Sequence, residues 1–146
     1  MLTITGTKSK SLTAYIERVY NYLYLHQSDA FVDVNLVPEL PGNAGGYCDG
    51  DVDEINVDIA RKDACGTISK KDLLINIAHE MVHAQQISSR MLENGGIVLV
   101  EDPSGNKKMT TKQIWGGKEY IGTPYADQPW EIEAYELENK VYEECK

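Results

Sequence analysis

Apolar residues recur at helical spacing from Ser11 to about Gln27, where Leu12, Ile16, Val19, Tyr20 and Leu23 share a face and predict a first helix. The next segment, Ala30–Val37 (AFVDVNLV), alternates instead and is rich in β-formers. It predicts a strand, stopped by Pro38 and Pro41. The stretches GNAGGYC and EINVDIA, separated by Asp49-Gly50-Asp51, read as a hairpin with Asp-Gly at its turn. Helical spacing returns from Leu73 to about Ile87, and Ser69 with Asp72 three residues on supplies a capping-box-like start. After Gly95-Gly96, the run IVLVE, the turn Asp102-Pro103-Ser104-Gly105 and the stretch KKMTTKQIW predict a second hairpin. A last helix is expected from an N-cap at Asp127, with Pro129 in its first turn, towards Cys145. The order helix, strands, helix, hairpin, helix predicts an α+β fold. Without a repeat, a low-complexity tract or a linker, residues 1–146 are expected to form one domain.

Composition narrows the partners. With 14 Lys+Arg against 23 Asp+Glu, the formal net charge of −9 argues against a nucleic-acid backbone or an anionic membrane. No apolar run approaches the roughly 18 residues of a membrane span, and MLTITGTKSKS lacks a signal-peptide core, so a cytoplasmic location is expected. Cys48, Cys65 and Cys145 are odd in number and form no CxxC pair, which points to neither a cysteine zinc knuckle nor a disulfide framework.

Only three histidines are present, and two of them lie in His79-Glu80-Met81-Val82-His83, an HExxH sequence. On a helix, positions i and i+4 share a face, so both imidazoles can ligate one ion. Glu80 stands beside them, where it can take a proton from a water held by zinc. On a wheel of about 100° per residue, Asp72, Asn76 and Gln86 cluster with the histidines. Leu74, Ile77, Ala78, Met81 and Ala84 lie opposite, so the helix is apolar nearly all round and should be buried. Histidines in a buried helix need polar partners, which a metal supplies.

A catalytic zinc commonly takes three protein ligands. No histidine follows His83, which excludes HExxHxxGxxH, and His26 reads as a surface residue on another helix. The third ligand is therefore expected on the last helix, PWEIEAYELENKVYEECK. There Glu133, Glu136, Glu143 and Glu144 share a solvated face with Lys140. Glu131 lies with Tyr135, Glu138 and Tyr142 beside the apolar stripe, which makes Glu131 the favoured ligand and Glu138 the second choice.

HEMVHAQQ followed by PWEIEAYE resembles the gluzincin-type zinc metallopeptidases, especially minimal gluzincins and small peptidase-like proteins of bacteriophages. In that group a Glu on a later helix completes HExxH, often as the first Glu of an ExEA-like sequence. Glu131 and Ala134 match it, whereas Tyr135 replaces the usual Asp or Asn after the alanine. The resemblance implies a small zincin-like domain with a short mixed sheet. It also implies a partner carboxylate or amide for a ligand histidine, with Asp72, Asn76 and Glu138 as candidates. It further implies an oxyanion-stabilising Tyr, with Tyr120, Tyr125 and Tyr135 as candidates, and an edge strand above the metal, for which Ile55–Ile59 (INVDI) is the candidate.

Other motifs fail. Asp49, Asp51 and Asp53 mimic an EF-hand start, but Glu54 and Ala60 stand where Gly and Glu belong, so they read as a polar hairpin tip. Gly42, Gly45 and Gly46 form no GxGxxG or P-loop and read as permitting a bend or bulge; Trp115 and Trp130 read as core or groove-wall residues. The expected function is a zinc metallopeptidase acting on a peptide or protein, with zinc on His79, His83 and Glu131 and Glu80 activating the water. The alternative is a silent or inhibited zinc-binding regulatory module of the same fold. An accidental HExxH in an acidic structural protein, binding no metal, is the third reading.

Overall fold

A computed structural model describes Met1–Lys146. The fold is α+β, as the pattern predicts. In chain order it comprises β1 (Leu2–Thr5), α1 (Lys10–Tyr22), β2 (Phe31–Val37), β3 (Gly46–Gly50), β4 (Glu54–Ala60), β5 (Lys62–Asp63), β6 (Gly66–Thr67), α2 (Lys70–Ser88), β7 (Leu92–Glu101), β8 (Lys107–Trp115), β9 (Lys118–Ile121) and α3 (Pro129–Cys145).

The main sheet has the order β1-β2-β4-β3, with β1, β2 and β4 parallel and β3 antiparallel to β4. Its strands alternate because one face only is covered. Val32, Val34, Ile55, Val57 and Ile59 are fully buried beneath the helices. The other face carries a polar ladder, in which Thr5 Oγ1 donates to Asn35 Oδ1 at 2.6 Å and Asn35 Nδ2 to Asp58 Oδ1 at 3.0 Å. The helices join this core through α1 residues such as Ile16 and Val19, α2 residues such as Ile77 and Met81, and Ala134 and Val141 of α3. Tyr15 Oη ties α1 to α2 by donating to the Leu74 carbonyl at 2.7 Å. Each fully buried aliphatic side chain contributes roughly 1.5–3 kcal/mol through removal from water.

The second hairpin exists but is longer than expected. β7 pairs with β8, and β9, which the pattern did not reveal, extends them to a three-stranded antiparallel arm. β1 was equally hidden: four residues carry little periodicity, and its partner Phe31–Val37 lies about thirty residues away. The small β5–β6 hairpin was not expected either.

Three expectations require correction. INVDI lies in β4, which is not an edge strand, because β2 pairs along one side and β3 along the other. Alternation reports which face of a sheet is covered, not whether both margins are hydrogen-bonded. The first helix starts a residue early, capped by Ser9 Oγ accepting from Leu12 N at 3.2 Å. It ends at Tyr22, since Tyr24 takes a left-handed conformation (φ 57°) and a 3₁₀ turn at Leu25–Gln27 then buries Leu25. The N-cap of α3 is Gln128 rather than Asp127, which belongs to a preceding 3₁₀ turn; Pro129 is in the first turn as expected.

Candidate metal centre

Helix α2 begins where Ser69 Oγ accepts from Asp72 N at 3.2 Å. Its apolar circumference then drives it between the sheet and α3, which carries His79, Glu80 and His83 inside with it. Each of these three, and Glu131 from the first turn of α3, exposes less than a tenth of its surface. The structure thus brings together the two histidines and the favoured third residue, although Glu131 lies 48 positions beyond His83 in sequence.

One carboxylate oxygen faces each imidazole: His83 Nε2 lies 2.5 Å from Glu131 Oε1, and His79 Nε2 lies 3.4 Å from Glu131 Oε2. The two rings meet edge-on, with centroids 4.9 Å apart. The donor atoms of His79, His83 and Glu131 all fall within 4.8 Å of one another, so the three residues could hold a metal ion.

The other ring nitrogens define the chemistry. His79 Nδ1 is 2.7 Å from Glu138 Oε2, and His83 Nδ1 is 2.8 Å from Gln86 Oε1. Both partners are acceptors, so each Nδ1 carries a proton, and in its neutral form each ring turns an Nε2 lone pair to the shared space. Glu131 Oε2 is buried without a hydrogen-bond partner. Two ring nitrogens and a carboxylate drawn this close, with one buried carboxylate oxygen unpartnered, favour a positive charge between them, and a metal ion fits that requirement. Burial opposes charge on both histidines, but Glu131 and the other carboxylates outweigh it, carrying His79 up to about 8 and raising His83 as well. Glu131 is also burdened by burial, yet the two histidines hold it well below the usual carboxylate range. A field that favours a proton here favours a metal ion for the same reason.

Of the candidate partners, Glu138 is the one that meets a histidine of the motif. Asp72 is exposed at the start of α2, and Asn76 packs against Gly45. The sequence reading missed Gln86, although the wheel had set it on the histidine face. Its Nε2 donates to the Trp130 carbonyl at 3.0 Å and to Glu133 Oε1 at 3.2 Å, so one amide orients His83 and pins the turn that carries Glu131. Glu133 is therefore half-buried rather than on a solvated face. A wheel cannot show this, because α2 crosses that side of α3.

Glu80 stands next to this trio without joining it and lines a cavity of about 370 Å³ together with His79, His83 and Glu131. Burial raises its pKa, partly offset by the two histidines. The opposite wall is β3, the edge strand of the main sheet. It comes so close that a methyl group on Gly46 would sit 2.6 Å from Glu80 Cγ, which explains a glycine at this position. Cys48 also faces the cavity; burial and the nearby Glu80 push its thiol well up, which disfavours the thiolate a nucleophile requires.

Tyr125 reaches the cavity, and its hydroxyl lies 3.0 Å from that of Tyr135, whose ring packs 4.7 Å from His79. Tyr120 instead packs edge-on against Trp130. Trp130 is both buried and part of the wall, as expected. His26 is exposed beside Tyr24. The Asp49–Asp53 segment is a hairpin tip, in which Asp51 Oδ1 accepts from the backbone N–H groups of Asp53 and Glu54. All three cysteines are free, and no helix is long and apolar enough to cross a membrane.

In comparisons with family models, curated proteins and solved structures, nothing matches this chain.

Proposed function

We propose that the chain is a zinc-dependent metallopeptidase of the minimal gluzincin type, with His79, His83 and Glu131 as ligands and Glu80 as general base. The observation that carries this reading is the buried meeting of His79 and His83, each held through Nδ1, with Glu131, whose Oε2 is unpartnered, beside a carboxylate that stays outside the set. Two nitrogens and one carboxylate oxygen are a donor set that suits zinc and leaves a position open. Zinc, when bound, supplies a Lewis acid that polarises the scissile carbonyl and makes water more acidic.

Glu80 accepts a proton as the oxygen of a water attacks the carbonyl carbon. It then passes that proton to the amide nitrogen as the carbon–nitrogen bond breaks. Its burial, which raises its proton affinity, suits both halves of that task. Tyr125, the one of the three candidate tyrosines that lines the cavity, can donate a hydrogen bond to the oxygen on which negative charge develops. Along β3, whose outer margin has no partner strand, two further cavities of about 190 and 180 Å³ follow this cavity in turn, each sharing lining residues with its neighbour. A channel beside a free strand edge favours an extended polypeptide over a small amide.

Zinc per chain, measured in wild type and in Glu131→Ala purified without chelator, tests the ligand set. Cleavage of a peptide library with and without chelator tests the activity. One zinc per chain that is lost in the variant, with chelator-sensitive cleavage, is expected. Zinc without any cleavage would transfer the reading to the silent or inhibited module, and no zinc even after reconstitution would end both.

A further inference from the structure

Along β8 the residues Met109, Thr111, Gln113 and Trp115 share one side, because the strand runs without a bulge. Their partners on β7 share that side: Leu99 opposite Met109, Ile97 opposite Thr111, Asn94 opposite Gln113 and Leu92 opposite Trp115. Leu92 and Gln113 line the catalytic cavity, and Asn94 and Gln113 line the adjoining one. The next residues outward on that side are Ile97, Leu99 and Met109, which are 67%, 58% and 66% exposed. In a small chain whose other apolar side chains mostly reach a core, three neighbouring ones at this level are a surface awaiting a partner. The arm is also electrically balanced. Between Leu92 and Ile121 four lysines match four carboxylates, which leaves the whole charge of −9 on the remainder of the chain.

We propose that this side of the β7–β9 arm is the outer part of the substrate cleft and binds apolar side chains of an extended polypeptide about four residues from the scissile bond. The spacing follows from strand geometry. Met109 is four residues from Gln113, roughly 13 Å at the rise of about 3.3 Å per residue that an extended substrate shares. The occupant is the substrate itself, because the strip continues the wall of the catalytic cavity with no change of side. This rests on the peptidase reading and adds a specificity: the enzyme selects apolar segments at a distance from the bond it cuts.

The test uses the zinc-loaded full chain and peptides of about sixteen residues, either wholly polar or carrying three leucines at alternate positions to one side of the cleaved bond. Wild type is expected to show a KM at least about tenfold lower for the leucine peptide. The Ile97→Ser/Leu99→Ser/Met109→Ser variant is expected to treat both alike, with metal content and unfolding midpoint unchanged. A wild type blind to the leucines, or a variant that keeps the preference, would overturn the proposal. Fluorescence anisotropy with the same peptides on Glu80→Gln separates the two readings. Leucine-dependent binding that the arm substitutions abolish would uphold the surface even if wild type cleaves nothing. Sedimentation showing a wild-type dimer that the variant dissolves would assign the strip to self-association and refute the cleft extension.

Discussion

Strand β4 buries Ile55, Val57 and Ile59 completely, whereas β7, with the unbroken apolar run Ile97–Val100, leaves Ile97 and Leu99 more than half exposed. Both segments are rich in β-branched residues, and what surrounds each decides its burial. β4 has α2 laid across it and a strand on each side, while the arm meets the body through the start of β7 and the packing of Trp115 and Tyr120 on Trp130. One apolar face is the core of the fold; the other is a surface left for something outside it. A run rich in β-branched residues therefore identifies a strand, and only the neighbouring elements assign its apolar side to stability or to recognition.

That contrast is sharpened by substitutions in the body and the arm, beginning with the largest effect. Glu80→Gln keeps the shape of the cavity and removes the proton acceptor. It is expected to lower kcat by about 10²- to 10⁴-fold while zinc content and melting temperature hold; steady-state kinetics with undiminished kcat would remove Glu80 from the mechanism. Ile55→Ala, in the covered face of β4, is expected to cost about 2–5 kcal/mol in urea unfolding. A loss below 1 kcal/mol would mean that the body collapses around the gap and is less distinct from the arm than its burial implies. Gln86→Leu strands the Nδ1–H of His83 and frees the turn carrying Glu131. A loss of about 10- to 100-fold in zinc affinity by competition with a chelating dye is expected, with little change in kcat when saturated with metal. Leu99→Ser on the arm should alter unfolding free energy by no more than about 0.5 kcal/mol. A larger destabilisation would show that the exposed face supports the fold after all.

The site was more legible than the fold around it. HExxH sets His79, His83 and Glu80 together through helical geometry alone, and α2 obeys it because Ser69 caps it and its apolar circumference leaves it no place but the interior. Glu131 could be chosen among six glutamates because Ala134 and Leu137 mark the inward side of α3. The choice between Tyr120, Tyr125 and Tyr135 was not legible, since it depends on a 3₁₀ turn and on how the arm folds back to Trp130. The edge strand was assigned to β4 instead of β3 because Gly45 and Gly46 make the true edge look like a loop. Those glycines are there because side chains would collide with Asn76 and Glu80.

By itself the sequence determined the periodicities, the caps and the pairing of His79 with His83, all of which act within a few residues and need no distant partner. The tertiary structure alone decided that Glu138 and Gln86 would hold the His79 and His83 rings, that β3 would wall the cavity and that the arm would keep its apolar side in water. Those outcomes depend on helix crossings and strand order between segments tens of residues apart. A hydrogen bond or a buried face forms only once such segments have been brought together, so no local pattern can encode it.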